Sequence, residues 1–200
     1  GEKNILLGKD AGANLTNNYQ NIAIGTNALK SADLAENNNV AVGTNTLYTE
    51  TSGADGCVAI GHEALFYQNR DASANTAIGF SALINLGNSV TYGGVHNTVV
   101  GYQAGGTGVF GGGSDGDGDE NTLVGFQAGK AITTGSENTC VGDRAGTSIL
   151  VGDKNVMVGK KAGTSLTDGP GNVLIGHSAG VAMTTGDYNI AIGYQAADAM

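Results

Sequence analysis

The sequence predicts an all-β fold, a parallel β-solenoid of about eleven coils of 17–24 residues, forming one domain over residues 1–200. Three observations carry that prediction. One short unit recurs along the whole chain, and such self-similarity is the signature of stacked repeat architectures. Each unit holds a three-residue apolar run closed by glycine. Glycine supplies 35 of 200 residues while proline occurs once, which suits many tight corners and uninterrupted strand pairing.

The unit reads Asn, three apolar residues, Gly, two variable residues and a small residue. It opens as Asn4-Ile5-Leu6-Leu7-Gly8 and returns with its glycine at Gly25, Gly43, Gly61, Gly79, Gly101, Gly125, Gly142, Gly159, Gly176 and Gly193. The spacings are 17, 18, 18, 18, 22, 24, 17, 17, 17 and 17 residues. The first slot is Asn in ten copies, among them Asn21, Asn39, Asn75, Asn138 and Asn172, with Cys57 the exception. The second slot is β-branched throughout, and the fourth is Val or Ile in every copy but the first, where it is Leu7. Side chains of this kind pack well on a pleated surface, so each run reads as a short strand. The glycines, Gly25, Gly43, Gly79, Gly142 and Gly176 among them, mark corners where a side chain would not fit.

Strand side chains alternate, so slots two and four face one way and slot three the other. Both faces are apolar, and a buried strand shows this pattern. A coil of 17 residues encloses one thin interior, which hides one face. Slot three, which includes Cys140, is assigned to contact with a second chain, making the protein an obligate oligomer. A hexapeptide helix is excluded, because counting six and twelve from Ile24 gives Lys30 and Glu36. Later in each coil, Gly135, Gly152, Gly169 and Gly186 lie in turn-forming segments. Ile132, Ile149, Leu166 and Met183 form a column that predicts a second strand or a helical turn. Early coils place Leu29, Leu47, Leu65 and Leu83 where later coils place glycine, which defines two kinds of coil. Two insertions, about 84–96 and 106–120, join them.

Composition narrows the function. Hydrophobic residues make up 40% and charged residues 14%, against the pattern of a charge-driven disordered chain. Collagen is excluded by the lack of a three-residue glycine period. A net charge of -9 disfavours nucleic acid as a partner. No apolar run approaches the ~20 residues of a membrane span, so no membrane insertion is expected. No signal peptide opens the sequence, so compartment is not read from targeting.

The run Asn75-Thr76-Ala77-Ile78-Gly79-Phe80-Ser81-Ala82-Leu83 resembles the head repeats of trimeric autotransporter adhesins and the Asn/Gly-rich repeats of phage tail fibres. The resemblance extends over all eleven copies. It implies a left-handed parallel β-roll in which three chains pack about one axis as a homotrimer. The coils are longer than the adhesin head repeat, and neither a coiled-coil stalk nor a membrane anchor is seen in the sequence. That favours a structural segment of a phage tail fibre, located in the virion or on a cell surface. Its expected partners are a host cell-surface glycan or protein and adjoining fibre segments. A bacterial adhesin head and a self-assembling extracellular filament are the alternatives, the latter because the sequence starts and stops within repeats.

Candidate sites are few. Gly176-His177-Ser178-Ala179-Gly180 has the letters of a nucleophile elbow, but it fills a repeat slot held elsewhere by GYQAG and GFQAG, so no enzyme is expected. The slot after the corner glycine is chemically mixed, including Lys9, Thr26, His62 and Asp143, and is read as facing water. There Phe80, Tyr102 and Phe126 fall in consecutive coils, and the insertions add Tyr92 and Phe110. These five aromatics are the candidate receptor or glycan site, with a cross-rung ladder as the structural alternative. Asp115, Asp117, Asp119 and Glu120 form an acidic loop whose carboxylates suit calcium, the one cofactor considered. Cys57 and Cys140 lie four rungs apart, roughly 19 Å, too far for a disulfide.

Overall fold

The computed structural model describes residues 2–30, 37–50, 55–68, 72–87, 93–106, 108–112, 114 and 116–199. Among them, fourteen strands form two parallel sheets and no helix is found. The first sheet has eleven strands in chain order: β1 (Ile5–Leu7), β2 (Ile22–Ile24), β3 (Val40–Val42), β5 (Val58–Ile60), β7 (Thr76–Ile78), β9 (Thr98–Val100), β10 (Thr122–Val124), β11 (Thr139–Val141), β12 (Val156–Val158), β13 (Val173–Ile175) and β14 (Ile190–Ile192). The second holds β4 (Thr49–Glu50), β6 (Tyr67–Gln68) and β8 (Asn85–Leu86). The chain is a parallel β-solenoid of stacked coils. Register keeps every slot in its column: Ile22 pairs with Val40, Thr122 with Thr139, and Val156 with Val173. At the usual strand spacing the first sheet is roughly 50 Å long.

Slot three points into the coil's own interior, not toward a second chain. Ala23, Ala59, Leu123, Cys140 and Met157 are fully buried within the single chain. Their flanking residues in slots two and four are half-buried or exposed. The rest of the same coil covers slot three, because the chain turns back at the corner and lays a second buried column against it. That column is Leu29, Leu47, Leu65 and Leu83 early in the chain, and Ile132, Ile149, Leu166 and Met183 late. The early column lies in turns and the late one in irregular backbone just after the turns, so neither is a strand or a helical turn, and the second sheet exists only beside the early coils.

The two kinds of coil are two ways of filling one volume. Where slot three is Ala23, Ala41, Ala59 or Ala77, the turn residue is Leu29, Leu47, Leu65 or Leu83. Where slot three is Leu123, Cys140, Met157 or Leu174, the turn residue is Gly129, Gly146, Gly163 or Gly180. Both sets of turn residues have positive φ, +44° to +51° for the leucines and +55° to +60° for these glycines. A leucine in this region costs about 1–2 kcal/mol of backbone strain. Burying its side chain returns a similar or larger amount, which explains why the strained residue is tolerated.

Asparagines bind the coils together. The backbone N–H of Asn39 donates to Asn21 Oδ1 at 2.9 Å, and that of Asn97 to Asn75 Oδ1 at 2.8 Å. In the late coils Asn138 Nδ2 donates both to Asn121 Oδ1 at 3.1 Å and to the Gly152 carbonyl at 2.8 Å. These side chains are fully buried, so the ladder satisfies amides that would otherwise be costly. At the corner, Gly142 has φ +136°, and a Cβ there would lie 2.6 Å from the Gly159 carbonyl oxygen of the next coil. Only glycine lets adjacent corners stack so closely.

Phe110 departs from its expected place. It is fully buried, bridging Leu86 in parallel fashion as a further rung of the second sheet. Its N–H donates to the Asn85 carbonyl at 3.0 Å, and the ring lies under Gly105. The second insertion thus places a large side chain in the core.

Candidate functional site

The positions after the corner glycines stack at the pitch of the strands. The rings of His62 and Phe80 are stacked at 5.1 Å, those of Phe80 and Tyr102 at 5.3 Å, and those of Tyr102 and Phe126 at 5.4 Å. Interplanar angles lie between 7° and 13°. The Arg144 guanidinium covers the far end, 5.2 Å from the Phe126 ring centre. Phe80, Tyr102 and Phe126 remain 40–45% exposed. The structure therefore brings together three of the five aromatics expected at a receptor site and builds them as a ladder. Phe110 is withdrawn from the candidate site by its burial, and Tyr92 lies outside the described residues.

The backbone beneath the stack is held between coils. The N–H of Gln103 donates to the Phe80 carbonyl at 2.9 Å, that of Gln127 to Tyr102 at 2.9 Å, and that of Arg144 to Phe126 at 2.8 Å. Beside the rings runs a polar column. Gln127 Nε2 donates to Gln103 Oε1 at 3.0 Å, and the Ser81 hydroxyl donates to Glu63 at 3.5 Å. Each end of the stack has a carboxylate beside it: Asp143 lies 3.6 Å from the Arg144 guanidinium, and Glu63 lies 3.7 Å from His62 Nδ1.

His62, Arg144, Gln103 and Gln127 were not legible as members of a site from composition, although His62 shares its slot with Phe80. A second stack was also missed. Tyr48 and Phe66 are parallel at 4.9 Å, Tyr67 meets Phe66 edge-on at 4.6 Å, and Lys30 Nζ lies 5.8 Å from the Tyr48 ring centre. The separation of 18 residues between Tyr48 and Phe66 carried the signal.

The acidic loop is divided among structural duties. Asp119 Oδ1 accepts the Val95 N–H at 2.8 Å, just as Asp153 Oδ1 accepts that of Ser136 at 2.8 Å and Asp55 Oδ1 that of Asn37 at 2.6 Å. Asp119 thus belongs, with Asp55 and Asp153, to a second set of inter-coil bonds, each two residues before the first slot of its coil. Asp117 accepts the Ser114 N–H at 3.1 Å, Glu120 occupies a turn at φ +55°, and Asp115 lies outside the described residues. Among the described residues, no three of His, Cys, Asp and Glu gather as a metal site.

Both cysteines are buried free thiols, and burial pushes Cys140 from its ordinary 9.0 up to about 12. Ser178 occupies the same left-handed turn position as Gln127, Arg144 and Lys161, following β13, with no helix behind it. No helix among the described residues is long and apolar enough to cross a membrane. No known protein family, curated protein or solved structure matches the chain.

Proposed function

We propose that this chain is a non-catalytic structural segment of a phage tail fibre. It forms a homotrimer of left-handed β-rolls, each of eleven coils, and presents its loops and stacked side chains at a host surface. One observation supports the reading most: the outward face of the first sheet carries an apolar row, slot four being Val, Ile or Leu in all eleven strands, while slot two is apolar in seven and threonine in four (Thr76, Thr98, Thr122 and Thr139). Both slots are apolar in Ile22 and Ile24, Val58 and Ile60, and Val156 and Val158. In mid-sheet Ile60 and Ile78 are still 38% and 36% exposed. Neighbouring rungs cover these side chains only in part. This row, roughly 50 Å long, two apolar residues wide toward both ends and flanked by threonines in the middle, lies ready for the same face on other copies. Parallel strands are ordinarily covered on both faces, and here the coil covers one.

Contact between chains thus moves to slots two and four, the reverse of the face assigned from the sequence. The test is the molar mass of the purified chain in solution by light scattering. Three chains per particle is the expected result. A clean monomer overturns the trimer and with it the fibre reading.

A further inference from the structure

We propose that the ladder His62–Phe80–Tyr102–Phe126 binds a neutral, extended glycan lying along the solenoid axis, one sugar ring per rung. The inference deepens the attachment role proposed above, and moves that role from the loops to the face of the stack.

Ring spacing is the first argument. The centroid separations of 5.1–5.4 Å match the advance per unit of an extended, equatorially linked pyranose chain. Parallel rings in contact lie about 3.5–4.0 Å apart, so centroids this far apart mean rings that are offset and not eclipsed. Each ring is flanked on both sides within the stack, so the 40–45% of Phe80, Tyr102 and Phe126 that stays exposed forms a stepped apolar side of the ladder, along which the C–H groups of a sugar chain can lie.

The polar column is the second. Gln103 and Gln127 share one hydrogen bond between their side chains, leaving a donor on Gln103 and an acceptor on Gln127 for hydroxyls. Both sit one residue beyond their rings, so apolar and polar contacts advance together. Charge is the third argument. With Arg144 and His62 beside their own carboxylates and the chain at -9, a polyanionic glycan is repelled and a neutral one is not. Finally, the rings are held by backbone hydrogen bonds between coils, so little ordering is lost on binding.

The experiment is calorimetric titration of the full chain with a soluble, neutral β-linked gluco-oligosaccharide long enough to span the four rings. A disaccharide and a sulfated glycan serve as comparisons. Saturable binding of the long neutral chain is expected, with the disaccharide much weaker and the sulfated glycan not bound. Tyr102→Ala is expected to weaken binding roughly tenfold, while Tyr102→Phe retains it. Circular dichroism confirms that each variant is folded. Absence of saturable binding, equal affinity in Tyr102→Ala, or preference for the sulfated glycan each overturns the proposal. Light scattering on the same samples keeps the two readings apart: a trimer that binds no glycan loses only the ladder site, and a glycan-binding monomer loses only the fibre.

Discussion

A Cβ placed on Gly129 would stand 2.6 Å from Leu123 Cδ2, so the turn residue and the slot-three residue of that coil occupy one shared space. The coil of β7 solves the same problem with Ala77, Leu83 and Leu86, all fully buried. Gly129→Leu alone is therefore expected to destabilise the protein by about 1–3 kcal/mol through overpacking. Combining it with Leu123→Ala recreates the early arrangement and should recover at least ~1 kcal/mol of the loss. Denaturant unfolding of the two single variants and the double variant measures this coupling, and strict additivity would refute the shared-volume account.

The asparagine ladder makes a sharper demand. Asn138 donates to Asn121 Oδ1 and the Gly152 carbonyl, and its own Oδ1 accepts the Asn155 N–H at 3.0 Å. Asn138→Ala strands buried partners in two adjacent coils and is expected to cost about 2–4 kcal/mol. Thermal unfolding gives the answer directly. A change in midpoint no larger than that of an exposed substitution would mean water replaces the ladder.

Adjacent residues on opposite faces should behave differently. Val124→Glu places a charge on the outward stripe. The expected result is a fall in solution mass to one chain, with the circular dichroism spectrum retained. Leu123→Glu, one residue away, buries the charge in the coil interior and should abolish folding. If Val124→Glu keeps the trimer, the stripe is not the contact face.

Phe110 offers a test of the second insertion. Because its ring is fully buried, Phe110→Ala should cost about 3–5 kcal/mol. Unfolding measurements should show this loss, where an exposed aromatic would show almost none.

The Cys140 thiol sets an alkaline limit. Burial raises it from 9.0 to about 12, so between those values the unfolded chain releases a proton that the folded chain keeps. The unfolded state then binds fewer protons, and stability falls as pH rises, by about 1.4 kcal/mol per pH unit contributed by this group. Cys140→Ala should flatten that component of the pH profile. Alkylation at pH near 9 should leave Cys140 unmodified until denaturant is added, and rapid native labelling would contradict its burial.

The strands were legible because β-branched slots and a recurring glycine leave little choice of conformation. Which face lies inside was not, since alternation says only that slots three and two oppose each other. The deciding cue was size: Ala77 with Leu83, or Leu123 with Gly129, keeps a constant volume, which makes sense only if both point into one interior. Phe110 escaped because two extra residues shift it from the column of Leu86, and its glycine neighbours resemble a water-facing loop. Asp119 was read by its charge, whereas its role is set by its position beside the N–H of Val95. The ladder at Phe80, Tyr102 and Phe126 was legible from spacing, but Arg144 and His62 join it through shape and not through hydrophobicity.

Each strand of the first sheet pairs only with the strand before it and the strand after it. Local geometry is therefore independent of how many repeats are present, as in other one-dimensional arrays. Excising residues 139–155 would leave Thr122 facing Val156 in the same slot, and the stack would shorten by one step with its character unchanged. Gene-level gain or loss of a unit then acts as a ruler, adjusting reach in graduations of about 4.8 Å.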